Sequence, residues 1–250
     1  MKKKVEIVFN TCDAQIGYQM RRCVLGPESE LVRKFLDVGL ERVGCSFKSG
    51  QTAVFIEPRI DSGFPDIVLA EFDPRFFERW PIARNLLSCC ELKMLTYLYS
   101  TGGADFNKVR TALRTTAVAT IRSLELLIDA GLVDRDRDSR CWRPLPIAQT
   151  YGVKNLIAVE AKVRNNDDVL NQAALNCWFA SESYALTPQK PRAEFVDRAR
   201  EAGIGMVSMT RPDDFRRILR SRRLSLPSSY ASWQFNEWIG RRVSIRGDIA

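Results

Sequence analysis

The sequence contains no histidine among its 250 residues. This absence excludes catalysis by Ser-His or Cys-His pairs, zinc held by histidine, and histidine as a general base. Candidate catalytic groups must therefore be sought among the carboxylates, the lysines and the other polar side chains.

The chain also lacks a hydrophobic run that approaches the roughly 18 residues of a membrane-spanning helix. The apolar stretch that follows Lys2-Lys3-Lys4 is too short and too interrupted for a signal peptide. The seven cysteines form an odd number without paired spacing, which favours reduced thiols. We therefore expect a cytoplasmic protein that has no membrane partner.

Negative charge is in deficit, and the formal net charge is +8. This balance favours an anionic partner, usually nucleic acid, although solvated surface charge is the alternative explanation. The positive excess is concentrated between Arg211 and Arg246. Within that segment a helix is predicted to begin at Pro212. We expect its arginines to contact nucleic acid, namely Arg216, Arg217 and Arg220.

The run from Leu156 to Arg164 has the β-branched and apolar pattern of a strand. Side chains alternate across a strand, so one face is apolar and the other carries Ala158, Glu160 and Lys162. Burying either charge alone costs roughly several kcal/mol. Glu160 and Lys162 therefore form either a structural ion pair or a site that acts on a group lying over this face.

A β-hairpin is predicted upstream, with strands at Gln51–Glu57 and Asp66–Phe72 and a turn at Asp61-Ser62-Gly63. Pro65 is tolerated at the start of the second strand, where an N–H is not needed. Asp66 follows it at the mouth of the strand. If the hairpin is considered alone, Asp66 is best explained as a turn residue.

Helices are predicted before and after these strands. The segment from Gly26 to Glu30 opens a helix, with proline in the first turn and acids where the helix dipole favours them. The presence of Glu30 is explained equally well by this first-turn position and by a role in a functional site. A later helix, Asp168–Ala180, carries Gln172 near its start. Two strands are expected after it, at Ser183–Thr187 and Gly203–Met209, and a last helix at Trp233–Gly240. This alternation of strands and helices is typical of a parallel sheet.

The middle of the chain is predicted to form a separate module. Its helices are expected at Asn85–Ser100, at Asp105–Leu113 and from Thr116 to Gly131, followed by a hairpin with strands at Leu132–Arg135 and Cys141–Arg143. Three helices followed by a hairpin resemble the winged helix-turn-helix family. In that family the third helix enters the major groove of DNA.

This resemblance implies a set of DNA contacts. Outward side chains on the third helix would be Thr116, Thr120, Arg122 and Ser123. Phosphate contacts from the second helix would be Lys108, Arg110 and Arg114. Acids and arginines alternate along the hairpin, which is typical of a solvated, self-paired surface, and winged helices also bind proteins. Contact with DNA and contact with a protein are therefore both open.

A second resemblance joins the remaining segments. A helix with Glu30, a hairpin with Pro65-Asp66, a strand with Glu160-Ala161-Lys162 and a helix with Gln172 resemble the PD-(D/E)XK nuclease superfamily. The fold implied is α/β, a restriction-endonuclease-like core whose central mixed sheet is flanked by helices. The core would comprise residues 1–80 and 150–250, and the winged-helix module at 81–149 would be an insertion. That insertion separates Asp66 from Glu160 by more residues than is usual in the family.

The resemblance also implies a metal-dependent site that works with Mg²⁺ or Mn²⁺. Asp66, Glu160 and the backbone carbonyl of Ala161 would hold the ion, since hard oxygen ligands suit it. Lys162 would orient the attacking water and offset charge in the transition state. Glu30 would be an outer-shell acid and Gln172 a hydrogen-bonding support.

The resulting expectation is a Mg²⁺-dependent phosphodiesterase that acts on double-stranded DNA as an endonuclease, with the winged helix binding or orienting the duplex. The alternative is a DNA-binding regulator or scaffold that keeps the nuclease fold without cleaving. A nuclease acting on RNA or tRNA is a third and weaker possibility. Double-strand cutting from one site per chain would favour a homodimer.

Overall fold

A computed structural model describes residues 5–22, 24–43, 51–136, 138, 140–163, 167–211 and 214–246. Its strands are β1 (Val5–Phe9), β2 (Gln51–Ile56), β3 (Ile67–Phe72), β4 (Ala104–Asp105), β5 (Val133–Arg135), β6 (Cys141–Pro144), β7 (Val153–Ala161), β8 (Glu182–Thr187), β9 (Gly205–Arg211) and β10 (Asp214–Leu219). Its helices are α1 (Pro27–Lys34), α2 (Pro74–Phe77), α3 (Cys89–Thr101), α4 (Phe106–Leu113), α5 (Ala117–Asp129), α6 (Ile147–Thr150), α7 (Asp167–Asn176), α8 (Ala193–Ala202) and α9 (Tyr230–Arg246). No helix in these ranges is both long and apolar enough to cross a membrane.

The chain divides into two compact units. The sheet unit comprises Met1–Asp73 and Val153–Ser228, and the helical unit comprises Pro74–Gly152 and Ser229–Ala250. The sequence-based boundaries place residues 74–80, 150–152 and 229–250 in the core. In the structure residues 74–80, 150–152 and 229–246 belong to the helical unit instead.

The sheet unit is built on a seven-stranded sheet in the order β1-β2-β3-β7-β8-β9-β10. Strand β3 is antiparallel to both of its neighbours, β2 and β7, whereas β7, β8 and β9 run parallel. At the edges β1 is parallel to β2, and β10 is antiparallel to β9. The α/β class with a central mixed sheet flanked by helices is therefore confirmed.

Apolar side chains cover both faces of this sheet. On one face Leu31 and Phe35, from α1 and the π-helical turn after it, pack with Ile157 and Val159 of β7. On the other face α7 and α8 pack over β8 and β9 through residues that include Val169, Ala173, Ala185, Phe195 and Met206. Because β7 is buried on both faces, a charged residue in its sequence needs a specific polar environment.

The helical unit contains α3, α4 and α5 followed by the antiparallel pair β5 and β6, to which the short strand β4 is added. Ser88 caps α3 and accepts a hydrogen bond from the Cys90 N–H at 3.1 Å. The buried Glu91 carboxylate accepts hydrogen bonds from the Ser88 N–H and from the Ser123 hydroxyl, which ties α3 to α5. Thr116 caps α5 in the same way. The order of elements follows the sequence-based prediction.

Helix α9 belongs to this unit through a buried polar network. Arg84 forms an ion pair with Glu237, both side chains being almost fully buried. The same guanidinium donates to the Thr150 carbonyl at 3.0 Å, and Asn236 accepts from the Gly152 N–H at 2.8 Å. These long-range partners explain why a segment distant in sequence joins this unit.

Two secondary-structure predictions are wrong. The segment predicted as a helix carrying Arg216 and Arg217 is the edge strand β10, and Arg220 follows its end; Pro212 lies outside the described residues. Pairing with β9 satisfies the backbone, and alternation places Phe215 in the core against Phe35. The predicted strand to Arg164 ends at Ala161 in β7, and Arg164 is likewise outside the described ranges.

Candidate active site

The candidate site lies at one end of β3 and β7. These strands pair antiparallel with Ile67 opposite Val159. The residue before β3 and the last residues of β7 therefore meet at the same end of the paired strands. There the Ala161 N–H donates a hydrogen bond of 2.7 Å to Asp66 Oδ2. The structure thus places Asp66, which is 95 positions away in the chain, directly beside Glu160 and Ala161.

Glu160 is held by helix α7. Glu160 is only 5% exposed, and Asn176 Nδ2 donates a hydrogen bond of 2.6 Å to Glu160 Oε1. Asn176 follows the predicted support residue Gln172 by one helical turn on the same face. Gln172 itself lines the cavity at the site. The hydrogen-bonding support that the sequence analysis assigned to Gln172 is therefore made by Asn176.

Burial and proximity change the acidity of the two carboxyls. Burial, then the nearby Asp66 carboxylate, raise the pKa of Glu160 to about 8. Burial also raises the pKa of Asp66, although the Ala161 N–H and the Lys162 ammonium oppose this rise. Two neighbouring carboxyls that are largely removed from water are not readily both ionised near neutral pH without a cation between them.

Lys162 lies just beyond the end of β7 and lines the cavity together with Asp66 and Glu160. Its N–H donates to the Leu186 carbonyl at 3.1 Å, which fixes the backbone, and its Nζ lies 3.1 Å from Glu28 Oε2. The ammonium remains a quarter exposed and lines the cavity. Lys162 is thus oriented by a carboxylate of α1 and remains accessible to a ligand.

Glu30 is not brought to the site. It is exposed and forms an ion pair with Lys34, one turn along the helix, at 3.2 Å. Glu28 lies there instead. Successive residues in a helix are rotated by roughly 100°, so positions two apart point to nearly opposite sides. The structure therefore places Glu28, and not Glu30, beside Lys162, because the sequence does not fix the rotation of α1 relative to β7.

Two further charged residues at the site were missed by the sequence analysis. Arg21 Nε donates to Glu57 Oε2 at 2.5 Å, and Arg21 Nη2 lies 3.9 Å from Asp66 Oδ1. Glu57 has a φ of 42°, in the left-handed region that non-glycine residues seldom adopt. Glu57 lies at the end of β2, opposite Asp66, and this position could have marked it as a site residue. Arg21 lies in a segment without periodicity, so the sequence contained no signal for it.

A cavity of about 230 Å³ opens over these groups. Its polar wall contains Asp66, Glu160 and Lys162, so the structure brings the three central predicted residues to one surface. The remaining lining residues are Arg21, Ser62, Gly63, Phe64, Pro65, Gln172, Leu175 and Asn176.

The donor set suits a hard divalent cation. Burial raises the pKa of both carboxyls, so a cation would stabilise each of them as an anion, and Mg²⁺ prefers a few carboxylate oxygens while keeping several waters. Within the described part of the chain, no group of three or more His, Cys, Asp or Glu side chains is arranged to hold a metal. The sequence predicts two side-chain oxygens, from Asp66 and Glu160, and the backbone carbonyl of Ala161 as a third protein ligand.

The predicted nucleic-acid contacts fall into two groups. In the helical unit Lys108, Arg110, Arg114 and Arg122 are exposed, but Thr120 is fully buried, and its hydroxyl donates to the Thr116 carbonyl at 2.9 Å. Thr120 cannot read a base edge, and Ser123 is buried on Glu91. In the sheet unit Arg216 is exposed and pairs with Asp214, Arg217 is half-buried, and Arg220 is exposed.

No family model, curated protein or solved structure matches this chain. The assignment of function therefore rests on the geometry of the site.

The acidity of Glu160 predicts an unusual pH dependence of stability. In the folded protein this carboxyl keeps its proton up to about pH 8, whereas its ordinary pKa is 4.5. The folded state binds more protons between these values, so the stabilisation is complete below about pH 4.5 and is lost as the pH rises to about 8. Without divalent cations, we expect the free energy of unfolding to fall by on the order of a few kcal/mol across this window.

Urea denaturation at several pH values measures this effect. Glu160→Gln should flatten the pH dependence and should be more stable than the wild type at pH 8. An unchanged slope in Glu160→Gln would show that other groups dominate the titration.

Proposed function

We propose that this protein is a Mg²⁺-dependent phosphodiesterase that cleaves DNA internally. The observation that carries the proposal is the contact of Asp66 with the end of β7, which joins two buried carboxylates and Lys162 in one accessible cavity. A structural ion pair between Glu160 and Lys162 is a poorer explanation, because Lys162 pairs with Glu28 and Glu160 with Asn176.

The order of elements supports a restriction-endonuclease-like core of the PD-(D/E)XK type. Helix α1, the antiparallel strands β2, β3 and β7, helix α7 and the parallel strand β8 follow one another as the resemblance requires. The part of the helical unit that lies in the chain between β3 and β7 has the three helices and the hairpin of a winged helix-turn-helix. The two proposals are independent, since each depends on its own unit.

The chemistry of the proposed reaction divides among five residues. Asp66 and Glu160, with the Ala161 carbonyl, would hold the Mg²⁺, which when bound supplies charge neutralisation at the phosphate and lowers the pKa of water. Lys162 donates from Nζ toward the phosphate or the attacking water, and its fixed positive charge offsets the negative charge that develops in the transition state. Asn176 holds the Glu160 carboxylate in place, as supporting residues around metal ligands do.

The direct test is an assay with supercoiled and linear DNA in the presence of Mg²⁺, Mn²⁺ or EDTA. We expect nicked or linear products with either cation and none with EDTA. Stable DNA binding with no cleavage under any of these conditions would reject the nuclease and favour a non-cleaving DNA-binding regulator or scaffold. Parallel reactions with RNA as the substrate test the remaining alternative, a nuclease that acts on RNA or tRNA.

Glu28 is expected to matter for cleavage, and Glu30 is not. Glu28→Gln removes the carboxylate that orients Lys162, and loss of such a supporting contact typically costs about 10- to 100-fold in activity. Glu30→Gln, two residues away on the same helix, removes an exposed charge that pairs only with Lys34 among the contacts described for it. Cleavage rates at saturating DNA and Mg²⁺ measure the difference. Equal losses in both variants would contradict the role assigned to Glu28.

The helical unit is proposed to hold duplex DNA through the exposed cations of α4 and α5. Each phosphate contact contributes about 0.9 to the slope of log affinity against log salt. Arg110→Ala should therefore weaken duplex binding and reduce that slope by about 0.9. Point substitution is preferable to deletion of residues 85–146, because α9 packs on that segment: Arg241 donates to the Leu87 carbonyl at 2.6 Å, and Trp233 stacks on Tyr99.

Arg198→Ala is the matched control, since it removes an exposed arginine that forms an ion pair with Asp167 in the sheet unit. Fluorescence anisotropy over a range of salt concentrations gives both slopes. If Arg110→Ala behaves like this control, the helical unit serves as a protein-binding module instead.

A further inference from the structure

The cavity at the candidate site has an apolar wall as well as a polar one. Phe64 and Leu175 line it, with exposed fractions of 37% and 60%. A cavity that bound only a phosphate and a cation would need no hydrophobic wall. Apolar surface left exposed beside a charged site marks a second kind of ligand group.

The apolar wall is built from two elements that are joined. The hairpin turn before Phe64 is closed by a reciprocal pair of hydrogen bonds between Ile60 and Gly63, each 3.0 Å long, and Gly63 has a φ of +132°, which favours glycine. Trp178 Nε1, just after α7, donates to Ser62 Oγ in this turn at 2.9 Å. Phe64 on the turn and Leu175 on α7 are therefore held at a fixed spacing.

Arg21 adds a flat cationic group beside the ring. Its guanidinium carbon lies 5.6 Å from the centre of the Phe64 ring, within the range of a cation–π contact. Glu57 accepts from its Nε and orients the plane. Aromatic rings and arginine planes are the surfaces on which proteins stack bases that have left a helix.

The size of the cavity restricts the ligand. Its volume of about 230 Å³ is below the roughly 300–1,000 Å³ of pockets that enclose a drug-sized molecule. One planar ring system fits against Phe64 and Leu175, with the attached phosphate directed to the wall formed by Asp66, Glu160 and Lys162. A base that remains stacked and paired in a continuous duplex cannot enter such a space.

We infer that the site takes a phosphodiester whose neighbouring base is unstacked and lies against Phe64 and Leu175. The substrate class is single-stranded DNA or DNA with a locally unpaired segment, such as a flap or a mismatch. The phosphodiester part of this inference rests on the proposed function, whereas the base-binding part rests on the apolar wall.

Binding of oligonucleotides that carry one 2-aminopurine tests the base-binding part without cleavage. The full-length protein is titrated in EDTA with a single strand, a duplex containing a mismatch and a continuous duplex, and fluorescence reports unstacking and stacking of the probe. Variants are Phe64→Ala, Phe64→Tyr and Leu175→Ala. Ile82→Ala is the control, because Ile82 is 83% exposed but belongs to the helical unit.

We expect Phe64→Ala to weaken single-strand binding by about 5- to 150-fold, as for the loss of one stacked base. The loss for the continuous duplex should be much smaller, and Phe64→Tyr should restore binding. Leu175→Ala should shift the preference in the same direction, and Ile82→Ala should not. Equal effects of Phe64→Ala on single strand and duplex, or no effect on either, would overturn the inference.

The two proposals fail in different ways. Absence of Mg²⁺-dependent cleavage on every substrate, with the Phe64-dependent preference intact, overturns the phosphodiesterase but leaves the base-binding wall. Cleavage of continuous duplex and single strand at equal rates in wild type and Phe64→Ala overturns the substrate class but leaves the phosphodiesterase.

Discussion

Replacing Lys162 by methionine is expected to lower the rate of Mg²⁺-dependent DNA cleavage by about 10²–10³-fold, the usual cost of removing one preorganised group that stabilises transition-state charge. Methionine keeps the unbranched stem and removes the ammonium. Because Lys162 is not a ligand in the proposed site, the affinity for the cation should remain. Single-turnover cleavage measures the rate, and Mn²⁺ titration measures the affinity.

Lys154→Met is the matched control, since Lys154 lies on the same strand and its Nζ pairs with Asp73 at 3.2 Å, away from the cavity residues. Its cleavage rate should be unchanged. Asp66→Asn is the complementary variant, because it should abolish cleavage together with Mn²⁺ binding. Cleavage by Lys162→Met at the wild-type rate would reject the proposed role of the ammonium, whatever the cation does.

Truncating Glu237 is expected to have the largest effect on stability. Glu237 forms an ion pair with Arg84, and Arg84 Nε donates to Glu237 Oε2 at 3.1 Å, with both side chains almost fully buried. Glu237→Ala leaves a buried guanidinium without its carboxylate, which typically costs about 3–5 kcal/mol. Because α9 is held in the helical unit by this network, the unfolding transition of that unit should move to lower temperature.

Asp136→Asn is the control in the same unit. Asp136 pairs with Arg143 at 3.3 Å on a largely exposed surface, where an ion pair contributes at most about 1 kcal/mol. Calorimetric unfolding of both variants separates the two effects. A double substitution, Arg84→Met with Glu237→Leu, should recover part of the loss, since apolar side chains can replace a buried ion pair. If Glu237→Ala unfolds like the wild type, the network is not what holds α9.

Much of the sheet unit could be predicted from the sequence because its strands have local patterns. The hairpin β2–β3 follows from two apolar runs separated by a turn, and β7 follows from its β-branched composition. The prediction that Asp66 and Glu160 lie at neighbouring strand ends came from the resemblance instead, since the hairpin alone explains Asp66 as a turn residue. Edge strand β10 was missed because an arginine-rich segment after a proline resembles a helix until the pairing with β9 is known.

The supporting residues of the site could not be predicted in the same way. Glu28 and Glu30 are both first-turn acids, and only the packing of α1 against β7 decides that Glu28 contacts Lys162. Gln172 and Asn176 share one face of α7, and the distance to Glu160 selects Asn176. In each case the choice depends on a rotation or a shift of a few ångströms that local propensity does not encode.

By itself the sequence determined the absence of histidine chemistry, the order of most helices and strands, and the unusual presence of Glu160 and Lys162 at the end of an apolar strand. Only the tertiary structure decided which carboxylates and amides support that pair, that Arg21 and Glu57 join them, that Phe64 and Leu175 form an apolar wall, and that α9 belongs to the helical unit. The physical reason is that strand and helix formation depends on neighbouring residues. The site depends on contacts between residues as distant as Asp66 and Ala161, which only the pairing of β3 with β7 brings together.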